Sequence, residues 1–209
     1  MIYAENILLC ILIPLLVSLL FITGKSRNFI TSFSIGMIIC LISAYISGFV
    51  EIVTDIHEYN AAVYISPIVE ELMKMLPVLF CIFVLRMEGK DLLLVAAGIG
   101  SGFATFENCC YLLTEGSEVF SYVMVRGLAV GIMHIVCMMV LTLSLIIARR
   151  YKALSFSSIL GSLSLSMTYH GLYNLLVSQP GLSSYIGYAL PIVTIAYLYL
   201  EYRKYKDIY

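Results

Sequence analysis

Seven apolar runs of the length that crosses a ~30 Å hydrocarbon core as a helix occupy positions 6 to 23, 29 to 50, 61 to 85, 91 to 114, 121 to 148, 154 to 177 and 183 to 200. In lipid each backbone N–H and C=O must be satisfied within its own segment, so such runs are compatible with helices and little else. The predicted fold class is therefore all-α, a polytopic transmembrane helix bundle of about seven spans. A hydrophobic share of 61% and a charged share of 12% rule out water as the main solvent.

The loops between the runs carry an orderly charge pattern. Lys25 and Arg27, then Arg86 and Lys90, then Arg149, Arg150 and Lys152, and finally Arg203, Lys204 and Lys206 fall on alternate connections. The intervening loops hold Glu51, Asp55 and Glu58, then Glu115 and Glu118, then an uncharged turn, without Lys or Arg. The positive-inside rule places the N-terminus outside and the C-terminus in the cytoplasm, which requires an odd number of spans. Met1 to Asn6 has no basic residue, so the first run is expected to stay attached as a helix rather than act as a signal peptide. Residues 1–209 read as a single transmembrane domain; the connections are too short to build a second core.

A formal net charge of -1 without a long basic block excludes a nucleic-acid partner and leaves the lipid bilayer as the principal one. The six cysteines all lie in apolar runs and form no C-x-x-C pair, which predicts buried thiols rather than disulfides or a thiolate zinc knuckle. Gly98, Gly100 and Gly102 superficially resemble a nucleotide loop, but no strand precedes them. The small-xxx-small spacing of Gly98 with Gly102, and of Gly127 with Gly131, predicts close helix packing instead.

Against this apolar background stand Glu70, Glu71, Lys74, Glu107, Asn108, Arg126, His134, His170 and Asn174, all inside the runs. Each costs several kcal/mol in hydrocarbon without a partner or water, so together they are functional candidates. Glu70 and Glu71 stand four and three residues from Lys74, and His170 four from Asn174, so each set shares a helix face. At 1.5 Å per residue, Glu70 and Glu71 come out roughly 13 to 15 Å below the outer face, Glu107 and His170 about 10 Å and His134 roughly 20 Å. A wet cavity in the outer half of the membrane is the expected meeting point. Pro67 and Pro77 flank the glutamates and can free backbone carbonyls there. His57 lies in an acidic loop and is expected to be merely solvated.

In order, these positions spell Glu70-Glu71-x-x-Lys74, Phe103-x-x-x-Glu107-Asn108, Arg126 followed by His134, and His170-x-x-x-Asn174. This pattern resembles the PrsW family of membrane proteases, over a motif-bearing core of about 61–177. The resemblance implies a multi-pass protein of the bacterial plasma membrane that makes the first cut in a single-pass anti-sigma factor during envelope-stress signalling. PrsW proteins are in turn similar to the type II CAAX prenyl endopeptidases and their bacterial relatives, which share the Glu-Glu and His-x-x-x-Asn elements. Those carry His where this chain has Glu107, a departure that argues against prenylated substrates.

Peptide hydrolysis needs an activated water, a stabilised oxyanion and a proton for the leaving amine. No Ser-x-x-Lys or Gly-x-Ser-x-Gly motif is present. Glu70 is expected to activate water, tuned by Glu71 and Lys74, while His134, His170 and Asn174 position water or stabilise the oxyanion and Glu107 orients a histidine or the water. Equally, His134 and His170 with Glu107 or Glu70 match a catalytic Zn²⁺ ligand set, so the metal-free and zinc forms both stand. Arg126 is expected to pair with Glu107 or Glu71 and, with Asn108, to support the site. A proton-coupled transporter would use similar residues but would continue them toward the cytoplasmic face, and a non-catalytic scaffold would use them only to join helices.

Overall fold

A computed structural model describes residues 4–87, 89–115 and 120–205. Glu118 and Lys206, two members of the loop-charge pattern, lie outside the described residues. All regular structure among the described residues is helical: α1 (Ala4–Ser18), α2 (Gly24–Thr54), α3 (Glu58–Asn60), α4 (Ser66–Phe83), α5 (Gly89–Glu115), α6 (Phe120–Val125), α7 (Gly131–Arg150), α8 (Phe156–Val177) and α9 (Leu182–Tyr205). Wider π turns, Ala61–Ile65 and Arg126–Val130, join α3 to α4 and α6 to α7 without interrupting the helical path. Among the described residues these make seven helical rods, one for each apolar run.

By length and composition, four of these rods are able to cross a membrane: Gly24–Thr54, Gly89–Thr114, Val123–Arg150 and Leu182–Glu201. The other three depart for visible reasons. Helix α1 has only 15 residues, a rise of about 22 Å. Helix α4 carries Glu70, Glu71 and Lys74, and α8 carries Ser162, Ser164, Ser166, Thr168, His170 and Asn174. Two of the three are thus the helices that hold most of the ionisable candidates.

Helix α4 is the centre of the bundle, touching α2, α5, α7 and α8. Around it α2 packs on α5, α5 on α7, α7 on α8 and α8 on α9, while α1 lies on α2. Large apolar side chains such as Phe21, Ile52 and Phe83 face outward, whereas Glu71, Lys74, His134 and His170 are buried. Lipid tails are as apolar as a protein core, so helix association rests on close packing and internal polar contacts rather than on hydrophobicity.

Glycine supplies that closeness where α2 meets α5. A Cβ at Gly36 would strike the Ile99 carbonyl, one at Gly102 the Phe33 carbonyl, and one at Gly98 the Ser32 hydroxyl. Gly100 brings α5 against α7, where a Cβ would stand 3.0 Å from the His134 carbonyl oxygen. The Gly98 and Gly102 expectation therefore holds. The Gly127 and Gly131 expectation does not, because Gly127 falls in the second π turn and a Cβ there meets nothing within 4 Å. All six cysteines are free.

Candidate functional site

Helix α4 presents Glu70, Glu71 and Lys74 on one face because they lie three and four residues apart. Helices α5, α7 and α8 bring Glu107, His134 and His170 to that face. Gly100, Phe103 and Glu107 form the stripe of α5 that meets His134: close backbone contact, a ring centroid distance of 4.9 Å, and a carboxylate oxygen on Nε2. The four motifs thus converge on one cluster.

Glu71 is fully enclosed and fully used. Its Oε1 accepts from Lys74 Nζ at 2.8 Å and His170 Nδ1 at 2.9 Å, and its Oε2 accepts from Ser166 Oγ at 2.7 Å. Lys74 also reaches His134 Nδ1 at 2.9 Å and lies 3.8 Å over the Phe103 ring. An ammonium only donates, so His134 Nδ1 accepts, and the ring proton resides on Nε2, where it donates to Glu107 Oε2. By the same reasoning His170 donates through Nδ1 to Glu71, which leaves the Nε2 lone pair 3.9 Å from Glu70 Oε2.

Glu70 differs from its neighbour. Its Oε2 is buried without a hydrogen-bond partner, 3.6 Å from Lys74 Nζ, and the residue lines a cavity of about 310 Å³. Glu107, Arg126, His170, Tyr173 and Asn174 line the same cavity. Ser178 and Tyr188 are also in its wall, so it opens toward the acidic and uncharged connections of the bundle. A second cavity of about 330 Å³ lies at the opposite end, bounded by Met87, Gly89, Arg149 and Arg150, and is remote from the cluster.

Arg126 pairs with Glu107 at 3.4 Å, not with Glu71, and its Nε donates to Asn108 Oδ1 at 3.2 Å. Asn108 returns a bond to the Arg126 carbonyl at 3.1 Å, and the Tyr111 ring lies 3.9 Å beneath the guanidinium. This arrangement holds the Glu107 carboxylate at the cavity wall. His57 is exposed in its loop and accepts a bond from the Tyr59 N–H, as a solvated residue can.

Asn174 has a cause that lies in Pro67. In the first π turn the Ser66 N–H bonds to the Ala61 carbonyl, five residues back. The Ala62 carbonyl has then lost its α-helical donor, Ser66, and its π-helical donor would be Pro67, which has no N–H. Asn174 Nδ2 fills that place at 3.0 Å. Asn174→Ala is expected to cost about 0.5 to 1.5 kcal/mol by removing this bond from an exposed carbonyl. In a Pro67→Ala background the cost should shrink, because the helix regains a donor; unfolding of the four proteins in mild detergent checks this, and equal losses in both backgrounds refute the link.

Two groupings of side chains place metal-ligand atoms within 4.8 Å of one another: Glu70, His134 and His170, and Glu71, Cys137 and His170. In the second, Glu71 and His170 Nδ1 already satisfy each other, and the Cys137 thiol leans toward the Ser166 carbonyl at 3.9 Å. In the first, Glu70 Oε2 and His170 Nε2 have no hydrogen-bond partner among the described residues, and His134 Nε2 meets a carboxylate. Two imidazoles and a carboxylate fit a catalytic divalent ion such as zinc. Ser166 was not singled out from the sequence; helix α8 has several serines, and nothing in their spacing marks the one that reaches Glu71.

The family described as PrsW family intramembrane metalloprotease matches residues 25–200 of this chain. No curated protein and no solved structure matches it.

Proposed function

Because the chain belongs to the PrsW family of intramembrane metalloproteases, we propose that its cavity hydrolyses a peptide bond of a single-pass membrane protein on the outward side of the bacterial plasma membrane, with an anti-sigma factor as substrate. The observation that carries this reading is the meeting of Glu70, His134 and His170 from three helices at one cavity. The loop charges support the outward position proposed for it. Arg149 and Arg150 belong to the far end of the bundle, so by the positive-inside rule the cavity faces away from the cytoplasm, with the N-terminus outside.

In this reading Glu70 takes a proton from the attacking water and returns it to the leaving amine. Its unpartnered oxygen is free to accept, which the oxygens of Glu71 are not. Glu71, held by Lys74 and Ser166, orients His170 through Nδ1. Glu107, held by Arg126, does the same for His134 through Nε2. Asn174 and Asn108 keep the two π turns in place at the cavity wall.

His170 through its unpartnered Nε2, His134 once its Nε2 has given up the proton it now donates to Glu107, and a carboxylate of Glu107 or Glu70 would hold a zinc ion, which when bound would polarise water and the scissile carbonyl. Metal analysis of the purified protein is expected to find about one zinc per chain, with cleavage lost on chelation and restored by Zn²⁺. Fully active protein free of metal refutes the zinc assignment. The functional test is co-expression with a tagged single-pass anti-sigma protein: wild type cleaves it on the outward side, and His134→Ala and His170→Ala do not. Normal cleavage by both variants, at intact expression, ends the peptidase reading.

A further inference from the structure

Five side-chain oxygens among the described residues are buried without a hydrogen-bond partner: those of Ser43, Ser47, Glu70, Thr142 and Tyr173. Only Glu70 and Tyr173 belong to residues that line the cavity. One is a carboxylate oxygen, an acceptor; the other is a phenol, a donor. An unpartnered phenol among apolar side chains is costly, so its persistence at a cavity wall calls for a ligand that supplies the missing acceptor.

The position agrees. Tyr173 lies three residues after His170, on the same face of α8, about 4.5 Å further along the axis toward the mouth of the cavity. It is 2% exposed, and its ring is held among Ala129, Val130, Met133 and Cys137, which restricts it to one orientation. Several other donors near the cavity already have protein acceptors. Arg126 is bound to Glu107 and Asn108, Asn174 to the Ala62 carbonyl, Lys74 to Glu71 and His134, and His170 Nδ1 to Glu71.

We infer that the Tyr173 hydroxyl is a catalytic residue of this site, donating a hydrogen bond to the carbonyl oxygen of the scissile peptide and to the oxyanion that forms from it. The inference rests on the peptidase reading above and moves the oxyanion role from Asn174, whose amide secures the first π turn, to the adjacent residue. The phenol keeps its proton throughout: as water adds to the carbonyl carbon, the carbonyl π pair moves to oxygen and the hydrogen bond to it strengthens. A donor of this kind acts on the transition state more than on the bound substrate.

The test uses full-length protein in mild detergent with the tagged single-pass reporter, and compares wild type, Tyr173→Phe and Tyr173→Leu. For Tyr173→Phe, kcat is expected to fall on the order of 10²-fold with KM changed by less than about twofold. Zinc content should stay level and the melting temperature should hold or rise, since phenylalanine fills the same space and removes only the unpaired hydroxyl. Affinity for a phosphinic peptide, whose tetrahedral P–O⁻ imitates the oxyanion, should weaken by a similar factor. Tyr173→Leu should lose both turnover and stability. A Tyr173→Phe protein with wild-type kcat and phosphinate affinity, beside an active wild type, overturns the inference alone and makes the tyrosine a wall residue. A wild type that neither cleaves the reporter nor binds the phosphinate overturns the peptidase reading, and the tyrosine's role with it.

Discussion

Glu70→Gln is expected to produce a folded, zinc-loaded protein whose cleavage of a single-pass reporter is lower by on the order of 10³-fold. Glutamine keeps the size of the side chain but cannot take a proton from water. The substitution disturbs little else, because the buried Glu70 Oε2 has no hydrogen bond to lose and its contact with Lys74 is a 3.6 Å ion pair rather than a close one. Reporter cleavage, zinc content and melting temperature should be read on one preparation. Loss of zinc together with activity makes Glu70 a ligand instead of the base, and near-normal cleavage removes it from the chemistry.

Glu71→Gln, one residue away, is expected to fail differently: a loss of about 3 to 5 kcal/mol of stability, with activity falling because the fold does. Among the described residues Glu71 is the only hydrogen-bonded carboxylate partner of the fully buried Lys74, and it also binds His170 and Ser166. Glutamine offers one oxygen where three donors now share two, and leaves an ammonium with Glu70 at 3.6 Å as its nearest anion. The buried charge is then poorly compensated. Thermal unfolding in detergent, with Lys74→Met and the double variant completing a cycle, measures the coupling. Coupling near zero, or a Glu71→Gln protein as stable as wild type, contradicts this account. The two adjacent glutamates, alike in sequence, are thereby separated into a reactive group and a structural one.

That separation marks the boundary of what the linear sequence discloses. Helical spacing was sufficient to align Glu70, Glu71 and Lys74, and to put His170 near Asn174, because residues three and four apart share a face whatever surrounds them. It could not say which of the two glutamates looks into the cavity. That choice depends on Ser166 and His170, which approach Glu71 from a helix nearly a hundred positions later. Asn174 was legible as a candidate but not in its function; the explanation required Ser66, Ala61 and Pro67 to be placed in a π turn beside α8. The spacing of Gly127 and Gly131 pointed to a packing contact, but within the second π turn Gly127 faces open space while Ala129 and Val130 take the packed side. Tyr173 carried no signal at all among 16 tyrosines.

The amino-acid order alone dictates seven apolar helical segments and the polar residues buried within them, since backbone hydrogen bonding in lipid and the 3.6-residue repeat are local properties. Contacts between helices decide which carboxylate is spent on lysine, which carbonyl needs an asparagine and which hydroxyl is left over, because hydrogen-bond partners are allotted by proximity in space and each donor can be used only once.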